Sequence, residues 1–442
     1  MKVYKEEKAL KSYDADILIV GGGPAGMACA ITAAKDGAKT VLVERGDFCG
    51  SKNMFGGAVY TAATKEIYPD FVSEAPLERG INKHNYALLG EKDGTVFSYN
   101  EAPSDEYAAY SVFRPKWDRW CAKKAEEAGA YIVPNTLAVD LIKEDGVFCG
   151  IKTENEEFRA KVVVLADGVN SLLAKKCGLR KNIKPENVAI SVKQTLSLPK
   201  EKIEDRFNLD ETNGAVYTIM GGSMLGITGL GFLYTNIDTI SIGVGITLSD
   251  LSKADKAPYV YLEELKEHPC IKPLIKDAQV KEYSAHLIPE GGYNAVPQLC
   301  FDGLIITGDA ASLVNNIHWE GSNLAMISGK YAALAALEAI EKNDFSKKVL
   351  SSYEKRLKES FILKDMKAYK NLIHSIENNS EAFLGFYPEK INEFFNLFTL
   401  ADGIPKKQKY REFIMKTLKE RNVLKLSSDG IKIAKLALEA VL

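Results

Sequence analysis

The sequence predicts an α/β protein in which a parallel-sheet domain is interrupted by an antiparallel sheet and followed by a helical segment. An apolar stretch at 16–20, an Ala-rich stretch at 25–36 and a β-branched stretch at 40–44 indicate a strand–helix–strand unit. From 188 to 248, apolar and polar residues alternate between turn residues, as in an antiparallel sheet. From 346 onward, apolar residues recur at helical spacing, which predicts amphipathic helices.

Shorter patterns indicate how the chain leaves the first domain and returns to it. After the antiparallel region, a short apolar strand is expected at 304–307, and an Ala-rich helix at 322–341 begins at a small polar residue. Apolar or β-branched runs predict further strands at 129–133, 137–141, 147–153 and 161–165. The last two of these form a meander that rejoins the first sheet.

These patterns predict a discontinuous first domain at 1–187 and 285–345, an inserted sheet domain at 188–284 and a helical segment at 346–442. The uncharged run at 215–237 is long enough to span a bilayer. It contains five glycines, however, and is better interpreted as short strands of the inserted sheet.

The composition excludes several classes of protein. Lysine and arginine number 57, and aspartate and glutamate 59, so no field of one sign favours nucleic-acid binding. The seven cysteines are scattered without a CxxC pair, which disfavours a disulfide framework, a zinc ribbon or a self-contained iron–sulfur site. Residues 1–16 lack the apolar core and cleavage site of a signal peptide. We therefore expect a cytoplasmic protein.

The strongest motif, GGGPAG at the start of the first helix, follows the GxGxxG pattern. Gly21 allows the tight turn, Gly23 lets the backbone approach a pyrophosphate, and Gly26 lets the helix pack on the sheet. The amino end of the helix then offers free N–H groups to phosphates. Glu44 closes the second strand 18 positions after Gly26, where a carboxylate can accept hydrogen bonds from ribose hydroxyls. This context indicates a dinucleotide site.

Two later elements favour FAD over NAD. The sequence VVVLADGVNS carries a strand into Asp167 and Gly168, and LIITGDAAS carries a strand into Gly308 and Asp309. Such strand ends can place a carboxylate on a polyol hydroxyl and backbone N–H groups on a phosphate. FAD has a polyol in its ribityl chain, whereas nicotinamide dinucleotides do not. Each pair alone would also fit an ordinary turn or helix cap.

In this order, the three elements resemble the FAD-binding fold of the p-hydroxybenzoate-hydroxylase and glutathione-reductase-two group. Within that group, GSKNMFGG at 50–57, GGY at 291–293, GDAA at 308–311 and EGSNLAM at 320–326 closely resemble FixC proteins. These are relatives of electron-transfer-flavoprotein:quinone oxidoreductase. The resemblance covers about 15–336 and implies a FAD-dependent oxidoreductase.

The resemblance also implies a set of FAD-binding positions. The pyrophosphate would lie on Gly21, Gly23, Pro24, Ala25 and Gly26, and the adenosine half against Glu44, Arg45 and the backbone of Val139. The other expected positions are Ser51, Asn53, Gly56, Gly57, Arg114, Asp167, Gly168, Gly308, Asp309, Gly321, Ser322 and Asn323. Among them, the helix start at 321–323 would face the flavin's pyrimidine edge, where a positive dipole end stabilises negative charge.

A second substrate is implied near 291–293. Gly291 and Gly292 match the glycine pair that lies near the quinone headgroup in the quinone oxidoreductases, and Tyr293 follows them. A simple tight turn would explain the same pair. Quinone reduction also consumes protons, for which Tyr293, His286 and His318 are candidate donors, although each is more often a structural residue.

The sequence departs from electron-transfer-flavoprotein:quinone oxidoreductase towards its carboxyl end. That enzyme carries a ferredoxin-like domain with cluster cysteines, whereas no cysteine follows Cys300 here. FixC proteins share this departure, and a separate ferredoxin-like protein, FixX, supplies the iron–sulfur cluster. Geranylgeranyl reductases usually have a Cys-Gly motif near the flavin, where this chain has SKNMFGG. Cys49 lies just upstream and is expected to be a buried, unreactive thiol.

Three functional hypotheses follow. The resemblance implies electron transfer from a FixA- and FixB-like electron-transfer flavoprotein to a membrane quinone, with FixX bound and peripheral contact at the inner face of the cell membrane. The second hypothesis is an isoprenoid-lipid reductase with an apolar tunnel lined by 215–237. The third is a docking scaffold, although basic runs are usually solvated helix faces. Its binding face would comprise Lys406, Lys407, Lys409, Arg411 and Lys416.

Overall fold

The computed structural model describes residues 13–52, 57–254 and 256–441. The strands in these residues are β1 Ala15–Val20, β2 Thr40–Val43, β3 Gly57–Tyr60, β4 Leu77–Leu89, β5 Gly94–Asn100, β6 Ala109–Val112, β7 Tyr131–Val133, β8 Asp140–Glu144, β9 Val147–Lys152, β10 Glu157–Leu165, β11 Val188–Ser197, β12 Asn213–Gly221, β13 Gly229–Thr235, β14 Thr239–Thr247, β15 Gln279–Pro289, β16 Cys300–Phe301 and β17 Leu304–Ile306.

The α-helices in the same residues are α1 Pro24–Lys35, α2 Thr61–Lys65, α3 Phe71–Glu74, α4 Arg114–Glu127, α5 Leu172–Lys176, α6 Lys200–Phe207, α7 Leu248–Leu251, α8 Pro258–Glu267, α9 Ser322–Glu341, α10 Lys347–Leu350, α11 Ser352–Glu359, α12 Phe361–Ala368, α13 Leu372–Glu377, α14 Tyr387–Thr399, α15 Lys406–Glu420 and α16 Val423–Val441. A stretch of π-helix, Glu381–Phe386, leads into α14.

The first sheet contains the predicted strand–helix–strand unit. Its main path runs β16-β17-β10-β1-β2-β7, and β10 extends into an antiparallel meander with β9 and β8. β1 pairs in parallel with β10 and β2, and Ile17, Leu18 and Ile19 are fully buried. A parallel strand that is covered on both faces requires such a continuous apolar run. This confirms the α/β class and the first strand–helix–strand unit.

Helices α1 and α9 pack closely against one face of this sheet. A Cβ atom on Gly329 of α9 would lie only 2.0 Å from the carbonyl oxygen of Ala25 in α1. A Cβ atom on Gly308 would lie 2.7 Å from the Cβ atom of Ala25 and 3.8 Å from that of Ala325. The contact therefore brings the starts of both helices and the end of β17 to one place.

The second sheet has the order β15-β11-β14-β13-β12-β4-β6-β3, and β5 pairs with β4. Its ladders are antiparallel except that between β12 and β4, which is parallel. We expected 57–112 to belong to the first domain, but its strands pair in this second sheet because β4 extends it beside β12. Strand β15 also crosses the expected boundary at 285. The domain limits themselves stay a prediction.

The two faces of the second sheet differ in character. One face packs against α6 and α8, and its residues Val192 and Ile242 share a buried cluster with Leu265 of α8. Because successive side chains of a strand point to opposite faces, Lys193 lies on the other face, with Gly243 of β14 and Ser284 of β15 as its cross-strand neighbours. This second face is directed towards Arg114 at the start of α4, whose charge affects the pKa of Lys193.

Most predicted elements are present within a few residues of their expected ends. The helix at 322–341 has the predicted bounds, and the uncharged run at 215–237 forms β12 and β13 rather than a span. The strand expected at 137–141 is present but displaced towards the carboxyl end, because β8 begins only at Asp140 and ends at Glu144. The preceding loop is held by Asn135, which has a left-handed backbone and donates its N–H to the carbonyl of Gly46.

The carboxy-terminal segment is helical, as predicted, but its basic run is not a uniformly solvated face. Lys406 donates hydrogen bonds to the carbonyl oxygens of Leu397 and Leu400 at the end of α14. Lys409 is buried and forms an ion pair with Asp402. These contacts fasten α15 to the end of α14.

Among the residues described, none of the helices combines the length and the apolar character needed to cross a bilayer.

We expect Gly329→Ala to destabilise the protein by about 1–3 kcal/mol, because the new methyl group meets backbone rather than a side chain that could turn away. The matched control is Gly430→Ala in α16, where a Cβ atom meets nothing within 4 Å. That variant should be as stable as the parent or more so, since alanine favours helix. Denaturant unfolding of both variants provides the comparison, and equal stabilities would contradict the close contact between α1 and α9.

Candidate functional site

The turn between β1 and α1 has the geometry of a phosphate-binding loop. Gly21 has a φ of +104°, and a Cβ atom on it would lie 2.4 Å from the carbonyl oxygen of Ala166. A Cβ atom on Gly26 would lie 1.9 Å from the carbonyl oxygen of Gly21. Gly23 differs from both, because its backbone is extended, with φ −85° and ψ −175°, and a Cβ atom there would meet no protein atom within 4 Å. The space at Gly23 therefore suits a ligand approaching the amino end of α1 at Pro24.

Glu44 at the end of β2 is buried and holds this turn in place. Its two carboxylate oxygens accept hydrogen bonds from the N–H groups of Gly22, at 2.8 Å, and Gly46, at 2.7 Å. Each carboxylate oxygen can accept a further bond, which leaves capacity for ribose hydroxyls. The neighbouring Arg45 is exposed.

The Asp-Gly and Gly-Asp segments come together through Arg180, which the sequence did not indicate. Its buried guanidinium donates to the hydroxyls of Ser171, at 2.8 Å, and Ser312, at 2.5 Å. It also donates to the carbonyl oxygen of Ala310 at 2.5 Å. Both serines have left-handed backbones, with φ of 42° and 57°. One cation therefore fixes the two loops that carry Asp167 and Asp309.

Asp167 and Asp309 are enclosed acids with unused bonding capacity. Burial raises the pKa of Asp167 to about 6, although the charge of Arg180 opposes the shift. Burial likewise raises the pKa of Asp309 to about 6, opposed by Arg114 and Arg180. The Oδ1 atom of Asp167 has no hydrogen-bond partner. Buried polar atoms are rarely left without a partner, so a hydroxyl-bearing ligand fits here.

The expected flavin-side residues lie around β3 and the start of α9. The hydroxyl of Ser322 donates to the carbonyl oxygen of Ala58 at 3.1 Å, which ties α9 to β3. Arg114 forms a two-pronged contact with Asp118, with nitrogen–oxygen distances of 3.2 and 3.1 Å. A Cβ atom on Gly57 would lie 3.7 Å from the Cδ atom of Arg114. The structure therefore brings Gly57, Arg114 and the start of α9 together.

Further polar atoms of the expected FAD-binding residues lack partners. The Oδ1 atom of Asn323 in α9 and the hydroxyl of Ser51 are buried without a hydrogen bond. Gly321 and Gly168 leave open space, since an added Cβ atom would make no contact closer than 3.8 Å at Gly321 and none within 4 Å at Gly168. Orphaned donors and acceptors beside open glycines fit a large polar cofactor such as FAD. Asn53 and Gly56 lie outside the described residues.

The backbone of Val139, which we expected to contact adenine, already forms hydrogen bonds within the protein. Its N–H donates to the carbonyl oxygen of Lys152 at 2.8 Å, and its own carbonyl oxygen accepts from Lys176 at 2.9 Å. The lysine is exposed and can turn away, whereas the N–H belongs to the pairing between this loop and β9. The carbonyl oxygen is therefore the backbone atom of Val139 that could meet a base.

The expected quinone residues lie next to another largely enclosed acid, Glu290. Gly292 has a φ of +55° in a short 3-10 turn. This backbone conformation favours glycine over other residues, so the turn alone explains the glycine. The carbonyl oxygen of Glu290 accepts from the side chain of Asn316 at 2.6 Å, and burial raises the pKa of Glu290 to about 8. Tyr293 packs against the first core. These contacts fit both a structural turn and a ligand site.

The two candidate histidines are in different environments. His286 lies on β15 opposite Ser191, and burial, with the charges of Arg114 and Arg45, lowers its pKa. His318 is exposed and packs edge-on against Tyr369, with ring centroids 5.0 Å apart. Of the two, His286 is the one placed on the sheet face directed towards Arg114.

Comparisons with known proteins cover nearly the whole chain. A family model described as FAD dependent oxidoreductase matches residues 16–179, and one described as ETF-QO/FixC family C-terminal domain matches residues 372–438. Protein FixC of Azorhizobium caulinodans is 40% identical over 426 residues, which cover 95% of this chain and 98% of that protein. Protein FixC of Azotobacter vinelandii is 41% identical over 425 residues, 94% and 97% of the two chains. Protein FixC of Escherichia coli K12 is 38% identical over 421 residues, again 94% and 97%.

Solved structures show the same fold at lower identity. A geranylgeranyl bacteriochlorophyll reductase-like protein from Thermoplasma acidophilum has a TM-score of 0.71 and 24% identity, covering 96% of this chain and 99% of that chain. The flavin-dependent brominase Bmp2 has a TM-score of 0.64 and 19% identity, covering 92% and 100%. The halogenase PltM, in complex with phloroglucinol and FAD, has a TM-score of 0.64 and 15% identity, covering 92% and 84%. The matches together confirm the predicted fold class and FAD as the cofactor.

We expect Gly23→Val to abolish tight FAD binding without destabilising the cofactor-free protein. The Cβ atom of the new side chain meets no protein atom within 4 Å, and the side chain enters the space at the helix start. Each charged hydrogen bond to phosphate that is lost should weaken binding at least about tenfold. Fluorescence titration with FAD measures the affinity, and thermal unfolding of the apoprotein checks the fold. Parental affinity in this variant would place the pyrophosphate elsewhere.

Asp309→Asn should stabilise the cofactor-free protein relative to the parent, increasingly so as pH rises. The folded-state pKa of about 6 lies above the ordinary 3.8, so ionisation of Asp309 opposes folding within that window. The difference in unfolding free energy should grow by at most about 1.4 kcal/mol per pH unit across the window and then stay constant. Denaturant unfolding at several pH values measures it, and a pH-independent difference would contradict the raised pKa.

Proposed function

Because the chain belongs to the FixC family of FAD-dependent oxidoreductases, we propose that it passes electrons from an electron-transfer flavoprotein to a membrane quinone. The donor would be a FixA- and FixB-like flavoprotein, and a separate ferredoxin-like FixX protein would carry an iron–sulfur cluster. The observation that carries this proposal is the near-complete coverage, 95% of this chain and 98% of the Azorhizobium caulinodans protein, at 40% identity. The match of residues 372–438 to a domain described for ETF-QO and FixC proteins supports the same acceptor class.

Different residues of the chain would bind different parts of FAD. The turn at Gly23 and the amino end of α1 bind the pyrophosphate, and Glu44 accepts hydrogen bonds from the adenosine ribose. Asp167 and Asp309, fixed by Arg180, accept hydrogen bonds from polyol hydroxyls. Bound FAD would accept electron pairs and release electrons singly or in pairs.

Around the flavin half of FAD, the chain would supply positive charge and leave room for the ring. The amino end of α9 and the guanidinium of Arg114 place positive charge where negative charge accumulates on reduction. Gly57 and Gly321 leave the backbone accessible to a flat ring. The face of the second sheet that carries Lys193 is near enough to Arg114 for its charge to affect the pKa of that lysine.

We further propose that the protein contacts the membrane peripherally, since a membrane quinone must be reached at a lipid surface. Exposed apolar side chains of the carboxy-terminal helices support this contact. They include Phe394, Phe398, Ile414, Leu424 and Ile431, and Ile404 is exposed in the loop before α15.

The proposal is tested by anaerobic reoxidation of the flavin. The purified protein with stoichiometric FAD is photoreduced, and a short-chain menaquinone or ubiquinone analogue is added while the visible flavin absorbance is followed. We expect reoxidation much faster than that of free reduced FAD at the same concentration, which is the control because quinones also oxidise free flavin. The absence of any acceleration would contradict quinone reduction.

A parallel assay separates the proposal from isoprenoid-lipid reduction. The photoreduced protein is mixed with a geranylgeranyl lipid in place of the quinone, and the products are analysed for saturated prenyl chains. We expect none. Turnover on this lipid without acceleration by quinone would favour an alkene reductase.

A further inference from the structure

A chain of three buried hydroxyl groups lies behind the loop that carries Asp309. Tyr353 of α11 donates a hydrogen bond to the Oγ1 atom of Thr307 at 3.1 Å. Thr307, directly after β17, donates in turn to the Oγ atom of Ser328 in α9 at 3.0 Å. Ser328 donates to the carbonyl oxygen of Ala325, one turn earlier in α9, at 3.0 Å. The three side chains are fully buried, so these bonds form without competition from water.

The chain of hydroxyl groups also reaches the backbone of the Asp309 loop. The N–H group of Gly308 donates to the Oγ atom of Ser328 at 3.2 Å, and Gly308 has a φ of +64°. A hydroxyl offers one donor and two acceptor positions, so Ser328 is fully engaged and the direction of the chain is fixed. On its other side, Gly308 is close to the start of α1, because an added Cβ atom would lie 2.7 Å from the Cβ atom of Ala25. Ser328 therefore holds the peptide that precedes Asp309.

Tyr353 approaches this loop from the carboxy-terminal helical segment. Helix α11 begins at Ser352, beyond the expected limit of the first domain at 345. The ring of Tyr353 packs in the first core, where phenylalanine would fill the same space. The hydroxyl group is thus not required for packing, and its printed role in the structure is the bond to Thr307. Any effect of the hydroxyl beyond general stability should pass along this chain.

The orientation of the Gly308 peptide matters for ligand binding. Asp309 is expected to accept a hydrogen bond from a polyol hydroxyl of FAD, and its position depends on the peptide before it. Without the Tyr353 hydroxyl, the hydroxyl groups of Thr307 and Ser328 gain alternative orientations, and the peptide is held less firmly. Ordering the loop again on binding costs free energy, so affinity falls although no contact with the cofactor is removed.

We propose that Tyr353 is a positioning residue of the FAD site, which acts through Thr307 and Ser328 to orient the Gly308 peptide and the carboxyl group of Asp309. This inference rests on the proposed arrangement of FAD and extends it to a helix of the carboxy-terminal segment. The chain only holds the loop in place, and no bond is formed or broken and no proton is transferred in it.

Tyr353→Phe tests the assignment, because it removes the hydroxyl and keeps the ring. The Kd for FAD is measured by fluorescence titration of the apoprotein, and denaturant unfolding gives the stability of apoprotein and holoprotein. We expect the Kd to rise roughly threefold to tenfold, the effect of losing one neutral hydrogen bond. At a fixed FAD concentration, the holoprotein should lose more stability than the apoprotein, because weaker binding adds to any loss in the fold. Equal losses of stability with an unchanged Kd would show a purely structural hydroxyl and overturn the proposal.

A double-mutant cycle tests the route through Thr307. Thr307→Val removes the central hydroxyl and keeps the shape of the side chain, and it should weaken FAD binding. Thr307→Ser keeps the hydroxyl and should bind FAD nearly as the parent does. In the Thr307→Val protein, adding Tyr353→Phe should weaken binding no further, because the tyrosine acts through Thr307. Additive losses would overturn this route. If Tyr353→Phe does not fold, the comparison of Thr307→Val with Thr307→Ser tests the same chain.

Tyr387→Phe is the matched control within the carboxy-terminal segment. The hydroxyl of Tyr387 in α14 also donates a hydrogen bond, to the carboxylate of Asp429 in α16 at 2.8 Å. This variant loses a hydroxyl bond of the same kind away from the Asp309 loop and should bind FAD like the parent. An equal rise in Kd for Tyr387→Phe and Tyr353→Phe would overturn the specific role of Tyr353.

The outcomes separate this inference from the proposal on which it rests. Asp309→Ala should weaken FAD binding more than Tyr353→Phe does. If Asp309→Ala weakens binding and Tyr353→Phe has the parental Kd, the inference is overturned and the arrangement of FAD stands. If neither variant changes the Kd, both are overturned. Quinone reduction is decided separately, because the reoxidation assay uses the parental holoprotein.

Discussion

The proposed FAD site depends on one buried cation. The guanidinium of Arg180 joins the loop after β10 to the loop after β17 through Ser171, Ser312 and the carbonyl oxygen of Ala310. Both loops follow parallel strands of the first sheet, and their serines adopt left-handed backbones that a non-glycine residue seldom takes without support. A direct contact from the hydroxyl of Ser171 to the carbonyl oxygen of Ala310, at 3.3 Å, supplements this cation in holding the loops of Asp167 and Asp309 together.

Charge balance explains how so many acids can be enclosed there. Asp309 lies within reach of both Arg114 and Arg180, and each arginine opposes the rise in its pKa. Arg114 is itself engaged by Asp118, which is buried. Acidic and basic side chains thus alternate through the site. Because they are largely buried, their electrostatic interactions are stronger than in water. In the proposed arrangement, FAD adds its pyrophosphate at the amino end of α1, where free N–H groups lie.

Local patterns predicted the parts of the fold that local physics determines. The glycine turn, the helix at 322–341 and the strands of the first sheet follow from periodicity, propensity and capping, which act over a few residues. The pairing of 57–112 in the second sheet could not be predicted, because it depends on a parallel ladder between strands far apart in sequence. Arg180 was missed for the same reason. Its partners near 310 are remote in the chain, and a lone arginine in a basic stretch has no distinguishing pattern.

The sheet order has a consequence for how the chain folds. Strand β10 pairs with β17, which follows it in the sequence only after the whole inserted region. Strand β4 pairs with β12, and helix α4 and the meander lie between these two strands in the sequence. During synthesis, both strands therefore emerge with an open edge long before the partner exists. Loop closures of this length raise the contact order and slow folding, and open edges invite pairing with other chains. The nascent protein is expected to depend on protection of the β4 edge until β12 has left the ribosome, and of the β10 edge until β17 has done so.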